Sequence, residues 1–175
     1  MSAPRPSRPP AEEPMVPAAS PLFLRDEELR RGLDLLHFGY GHLLRAADAR
    51  LGEAGLGRAH HRALTFIARQ PDLNVGTLLA FLGISKQALG RVLGELTDRG
   101  LVEARAGATD RRQKRLRLTT AGRALEAELF AAVRAPLARA YASAGQHDVT
   151  GFWRVLEGMV PPEDRALVRA LLGPA

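Results

Sequence analysis

The stretch from Leu73 to Thr120, LNVGTLLAFLGISKQALGRVLGELTDRGLVEARAGATDRRQKRLRLTT, constrains the fold more than any other part of the chain. Val75, Leu78, Leu79 and Leu82 recur at helical spacing, and Asn74 is placed to cap a helix over Asp72 to Leu82. Gly83 supplies a turn. Ser85 then caps a second helix, running to about Asp98, with Ala88, Leu89, Val92, Leu93 and Leu96 on its inner side. Arg99-Gly100 is a signal for a left-handed helix end. Two short strands follow, Leu101 to Arg105 and Lys114 to Leu118. In the second, Leu116 and Leu118 alternate with Arg115 and Arg117. The connection from Ala106 to Gln113 holds Gly107, Asp110 and two arginines, too polar a loop to bury.

Two helices meeting at a tight turn, then a hairpin with a basic tip, are the parts of a winged helix-turn-helix. The expected fold class is mainly α, with a small antiparallel β wing. Ile84 is placed to plug the angle between the two helices, where a charged residue would bury an unpaired polar group.

Charge supports a polyanionic partner. Between Phe81 and Arg123 stand ten Lys or Arg residues against four acids, a surplus of six that equals the net charge of the whole chain. A positive field confined to one segment is a better sign of nucleic acid than a high pI alone. The 46% hydrophobic content suits a soluble core, and with only 5% aromatics Leu and Ala must fill it, which favours packed helices over a sheet. Having no cysteine, the chain has no disulfide, thiol switch or thiolate metal site. Residues 1–20 lack the apolar core of a secretory signal, and no stretch approaches the roughly 20 apolar residues of a membrane span. A soluble, cytoplasmic protein with no membrane partner is expected.

The rest of the chain frames this centre. Residues 1–21, with Pro4, Pro6, Pro9, Pro10, Pro14, Pro17 and Pro21, read as a disordered tail, more readily a plain solubilising extension than a segment whose Arg5 and Arg8 touch phosphate. Residues 22–172 read as a single domain. Leu22 to about Leu51 is a long helix on which Leu29, Leu33, Leu36, Tyr40, Leu43 and Leu44 recur; Gly32, Gly39 and Gly41 allow close approach of another helix or mark a bend. Arg58 to Arg69 is a second helix with Ala59, Ala63, Phe66 and Ile67 inward, stopped by Pro71. Thr119 or Thr120 caps a further long helix striped by Leu125, Leu129, Val133 and Leu137, in which Pro136 predicts a kink or a break. Another starts near Asp148 or Thr150 with Phe152, Val155, Leu156 and Met159 as its stripe. A short last helix spans Glu163 to Leu172. The DNA-binding region is thus residues 58–118, and the flanking helices are residues 22–51 and 119–172.

The side chains at the start of the second central helix are candidates for the major groove: Ser85, Lys86, Gln87 and, one turn on, Gly90 and Arg91. Gln87 is the best placed for a base edge, adenine in particular. Lys86 is suited to guanine or to a phosphate, and Arg91 to the backbone. Gly90 costs about 1 kcal/mol of helix stability against Ala and either permits close approach or has no role. Arg111, Arg112, Lys114 and Arg115 are the wing cations, suited to phosphate or to a narrow minor groove. Asp110 opposes DNA by its charge, so its expected role is to order the wing by a bidentate pair with Arg112.

No catalytic constellation, nucleotide loop or metal motif is present, and neither an enzymatic step nor a cofactor is expected. Among the histidines, His60 and His61 can meet His37, His42 or Glu53 at helix junctions, which leaves a metal site open, though the spacing is not diagnostic of one. Tyr40 and Phe38 are candidates to line a small-ligand pocket, or simply to pack.

The motifs LGISKQA, LxxLTDRGLVEA, DRRQKRLRL and the TxxG of Thr119 to Gly122, in this order, resemble the MarR family of bacterial transcriptional regulators, and the long flanking helices extend the resemblance over residues 22–172. It implies a homodimer whose shared core here is Leu33, Leu36, Leu129, Val133, Phe152, Leu156, Leu167 and Leu171. Two reading heads then meet a pseudo-palindromic double-stranded site. The family also implies a small phenolic or anionic ligand in a cleft between the dimerisation and DNA-binding regions, near Tyr40, His61 and Arg62. The chain departs from many relatives at Gly90, where they have Ser or Thr, and in lacking a cysteine for thiol sensing. The function expected is a homodimeric, sequence-specific repressor. Its rival is a winged-helix protein-interaction or structural module without specific DNA readout.

Overall fold

In the computed structural model, which describes residues 21–106 and 114–172, helices form where capping groups and apolar spacing coincide. Contacts divide the chain into two units, residues 1–39 and 40–175. Helix α1 (Asp26–Glu53) begins with Asp26, Glu27 and Glu28, acids that favour the positive end of a helix dipole. That is four residues later than the apolar pattern alone implies. In the first unit the Nη1 of Arg31 lies 3.0 Å from Glu28 one turn back, and Leu29, Leu33 and Phe38 are exposed.

In the second unit, Ala47 and Leu51 of α1 are buried. Helix α2 (Arg58–Arg69) buries His61, Ala63, Leu64 and Ile67. After it comes an element absent from the sequence reading: Leu73–Asn74 is a short strand, β1. Asn74 caps α3 (Val75–Leu82), its side chain accepting from Thr77 N at 2.8 Å, so the residues before the cap are extended rather than helical. Helix α4 (Lys86–Asp98), strand β2 (Val102–Ala106) and strand β3 (Lys114–Leu118) follow. The sheet order is β1-β3-β2, antiparallel throughout, with Leu73 opposite Leu116 and Val102 opposite Leu118. These three helices and three strands are the expected mainly α winged helix-turn-helix.

Asp72 turns the chain into β1 and is the one non-glycine residue with positive φ (65°) among the described residues. Both its carboxylate oxygens accept from the Arg117 guanidinium, Oδ1 from Nε at 2.5 Å, and its backbone N–H donates to Leu116 O at 3.1 Å. This pairing with Arg117 holds the Asp72 carboxyl below the usual carboxylate range. A depressed native pKa contributes stability that is present above the unfolded value, near 3.9, and is lost as pH falls through the folded value. Asp72→Asn tolerates the same backbone but carries no charge. It is expected to lower the urea midpoint at pH 7 and to flatten the loss of stability below about pH 4. An acid limb as steep as that of the wild type would show that the pair does not contribute.

One core runs through the second unit, with Leu64, Ile67, Leu78, Leu89, Leu96, Val102, Leu116, Leu118, Leu125 and Leu129 among its buried members. Ala88, expected inside, is exposed. Leu89, Val92 and Leu96 already occupy the inner arc of α4, and Ala88 lies about 40° outside its Val92 edge, on the side of Glu95. Helix α5 (Thr120–Ala144) starts at Thr119, whose hydroxyl accepts from Gly122 N at 3.0 Å and donates to Gly100 O at 2.6 Å. A Cβ on Gly122 would stand 2.0 Å from Leu101 O, so the helix packs directly on the backbone that enters β2. Pro136 does not break α5. It lies beyond Leu129, the last buried residue of this helix, so accommodating the ring disturbs no core packing.

Leu129 is 0% exposed within the single chain and belongs to the winged-helix core. Its expected place in a surface shared with a second copy is therefore corrected. Helix α6 (Gln146–Gly158), a 3₁₀ turn (Pro162–Asp164) and helix α7 (Arg165–Leu172) have no buried residue. The 3₁₀ turn takes up the first residues expected of the last helix. Phe152, Trp153, Val155 and Met159 of α6 are exposed, and Trp153 donates its indole N–H to Tyr141 at 2.9 Å. Among the described residues no helix is long and apolar enough to cross a membrane.

Candidate nucleic-acid interface

Helix α3 ends at Gly83 in the left-handed conformation (φ 61°, ψ 36°), and two residues later Ser85 starts α4, its hydroxyl accepting from Ala88 N at 3.1 Å. The turn is short because Gly83 adopts this conformation without the steric cost a side chain would bring. Ile84 is half-buried against the core, as its place in the angle requires. With Leu89, Val92 and Leu96 inward, Ser85, Lys86, Gln87 and Arg91 are all exposed at the first turns of α4. The structure therefore gathers these four residues at one helix end, where free backbone N–H groups and the dipole favour an anion. Gly90 is exposed among them, with nothing within 4 Å of where a Cβ would be. Its absence of side chain answers no packing need within the chain.

The wing cations divide. Arg111, Arg112 and Asp110, the acid expected to order the wing, lie outside the described residues. Lys114 is exposed at the start of β3, while Arg115 is half-buried and donates Nη1 to Asp72 O at 3.3 Å. Several other basic residues of this segment are occupied internally. Arg117 holds Asp72, and its own pKa is raised by that pairing. Arg99 donates to the carbonyls of Ala54 and Gly55, tying the end of α4 to the turn after α1. Arg105 pairs with Glu103 at 2.8 Å, and Arg123 donates to Leu118 O at 2.8 Å. Lys86, Arg91 and Lys114 have no hydrogen-bond or ion-pair partner among the described residues. Long-range pairs such as Asp72 with Arg117 carry no local sequence signal; only the placement of Asp72 opposite an arginine-bearing strand reveals them.

The residues read as a ligand cleft have separate occupations. Tyr40 is exposed. His61 is 9% exposed, and burial holds its pKa below the ordinary histidine range, against a smaller opposing pull from Asp48. Arg62 donates to Leu82 O at 2.6 Å and to Phe81 O at 3.4 Å. His60 accepts the Gly57 N–H on Nδ1 at 3.1 Å, and its Nε2 lies 3.0 Å from Glu95 Oε2. His37 and His42 are exposed on α1. No three His, Asp or Glu side chains converge on a metal position among the described residues.

Comparison with known proteins bears on this geometry. A family model described as MarR family matches residues 54–113. The HTH-type transcriptional regulator PetP of Rhodobacter capsulatus is 47% identical over 144 residues, 82% of this chain and 87% of the relative. A crystal structure of a MarR family transcriptional regulator from Silicibacter pomeroyi is 27% identical with a TM-score of 0.64, over 76% of this chain and 88% of that one. CouR from Rhodococcus jostii, crystallised with p-coumaroyl-CoA, is 26% identical with a TM-score of 0.63, over 73% and 90% of the two chains.

Proposed function

The chain belongs to the MarR family, and on that premise we propose that this DNA-binding transcriptional regulator is a sequence-specific, homodimeric repressor open to modulation by a small ligand. The observation that carries the reading is the start of α4, where Lys86, Gln87 and Arg91 are exposed and uncommitted while the opposite face of the helix is buried. Gln87 reads a base edge, adenine by its amide pattern, and Arg91 holds a phosphate. Lys86 serves guanine or phosphate, and Ser85, which caps the helix through Ala88 N, lies beside them for a backbone contact. Arg111, Arg112, Lys114 and Arg115 of the wing add phosphate or minor-groove contacts, ordered by Asp110.

The dimer rests on the apolar faces left exposed in each unit, Leu29, Leu33 and Phe38 in one and Phe152, Trp153, Val155 and Met159 in the other. Two copies present two recognition helices to a pseudo-palindrome with half-sites about 34–36 Å apart. A phenolic or anionic effector accords with the p-coumaroyl-CoA held by CouR. Of Tyr40, His61 and Arg62, Tyr40 is the one whose exposure leaves it available to such a ligand.

Selection of duplexes from fragmented genomic DNA tests the reading, with the mass of the free protein measured alongside. A recurring sequence motif and twice the chain mass are expected; duplex recovery without any preference favours the protein-interaction alternative. Salt dependence isolates the wing. Arg112→Ala is expected to reduce affinity evenly across sequences and to lower the slope of log K against log salt by about one. An unchanged slope would mean that Arg112 touches no phosphate.

A further inference from the structure

The reading of α4 as the DNA-contacting helix leaves open what sets its position, and the following rests on that reading. We propose that His60 and Arg62, two residues apart on α2, are positioning residues that fix the recognition helix at two points along its length.

Arg62 holds the first point. A helix end leaves its last carbonyls without intrahelical partners, and a cation there is favoured by the dipole. In α3, Leu79 O accepts from the Gly83 N–H at 3.0 Å, and the Arg62 guanidinium takes Phe81 O and Leu82 O. One turn along α2, Phe66 stacks on Phe81 with ring centroids 5.0 Å apart, so Arg62 and Phe66 grip the same end of α3. Leu82 is followed by Gly83, Ile84 and the cap Ser85, so the carbonyl held by Arg62 is only three residues from the start of the exposed face of α4.

His60 holds the second point. Accepting the Gly57 N–H on Nδ1 fixes the neutral ring with its proton on Nε2. That nitrogen is shut off from solvent and makes no hydrogen bond among the described residues; Glu95 Oε2 stands 3.0 Å from it, so the two side chains are in contact. Glu95 lies eight residues beyond Gln87, about two turns further along α4. A rod held near its start and again two turns on has its depth and its tilt both defined. Groove readout depends on both, because a bidentate base contact tolerates little displacement.

The test is the ratio of Kd values for a selected and a scrambled duplex, measured well below the Tm of each variant. Arg62→Met and His60→Ala are each expected to lower that discrimination about tenfold while leaving affinity for the scrambled duplex unchanged. His60→Gln should restore most of it, since its amide can accept from Gly57 N and donate to Glu95. Arg62→Lys should restore part, one ammonium reaching one carbonyl. Variants that lose stability yet discriminate as the wild type does would overturn the proposal, as would failure of His60→Gln to rescue. Should Arg62→Met not fold, the two His60 variants decide. Wild-type protein without any discrimination would instead remove the reading of α4 itself.

Discussion

Gly122→Ala is expected to destabilise the protein by about 3 kcal/mol or more, lowering Tm by about 10 °C. The added methyl would stand 2.0 Å from Leu101 O and 2.9 Å from the carbon bearing it, and both are backbone atoms. No rotamer change can relieve such an overlap. Either α5 lifts from the sheet or the Gly100-Leu101 segment moves, and that segment is itself held by the Thr119 hydroxyl on Gly100 O and the Thr119 N–H on Leu101 O. Gly94→Ala supplies the control. Gly94 lies in α4 with nothing within 4 Å of its would-be Cβ, and alanine there should stabilise by about 0.5–1 kcal/mol through helix propensity. Thermal unfolding followed by circular dichroism measures both. Equal, small shifts would show that the packing of α5 on Leu101 is looser than described.

Gln87→Ala is expected to lower discrimination at one base pair by about 1–3 kcal/mol, roughly 5- to 150-fold in relative Kd. The side chain is exposed in the first turn of α4 and packs on nothing that would make its removal costly, so stability should change by less than about 0.5 kcal/mol. Binding of a selected duplex and of its single-pair variants measures the effect. A uniform loss over all duplexes would assign Gln87 to the backbone rather than to a base.

Local chemistry made much of this molecule legible before any coordinates. The bounds of α2 and β3 follow from an apolar stripe stopped by Pro71 and from strict alternation between Leu and Arg. The caps at Asn74, Ser85 and Thr119 follow from side-chain oxygens placed just before apolar runs. What sequence alone could not show depends on distant partners. Strand β1 is two residues long and exists only because Leu116 and Arg115, some forty residues on, lie beside it. Leu129 sits on a stripe that would suit an internal core as well as a subunit contact, and periodicity does not say which; the structure places it in the internal core. The surplus of positive charge between Phe81 and Arg123 likewise does not reveal which cations are spent within the chain. Arg99, Arg117 and Arg123 are, whereas Lys86, Arg91 and Lys114 are not. The exposed face at the start of α4 was readable because Ser85, Lys86, Gln87 and Arg91 are residues that the core does not use.

Helix α5 belongs to the core at one end only. Leu125 and Leu129 anchor it beneath the sheet, Gly122 sits directly on Leu101, and the helix continues past Pro136 to Ala144 without interruption. Its 25 residues extend about 37 Å. The arm beyond Leu129 runs 15 residues, about 22 Å, so a tilt of about five degrees at the anchored end would carry the far end roughly 2 Å. In an assembly clasped at that far end, the same small swing would instead displace the heads, so the register between two reading helices would be governed by a joint with no slack.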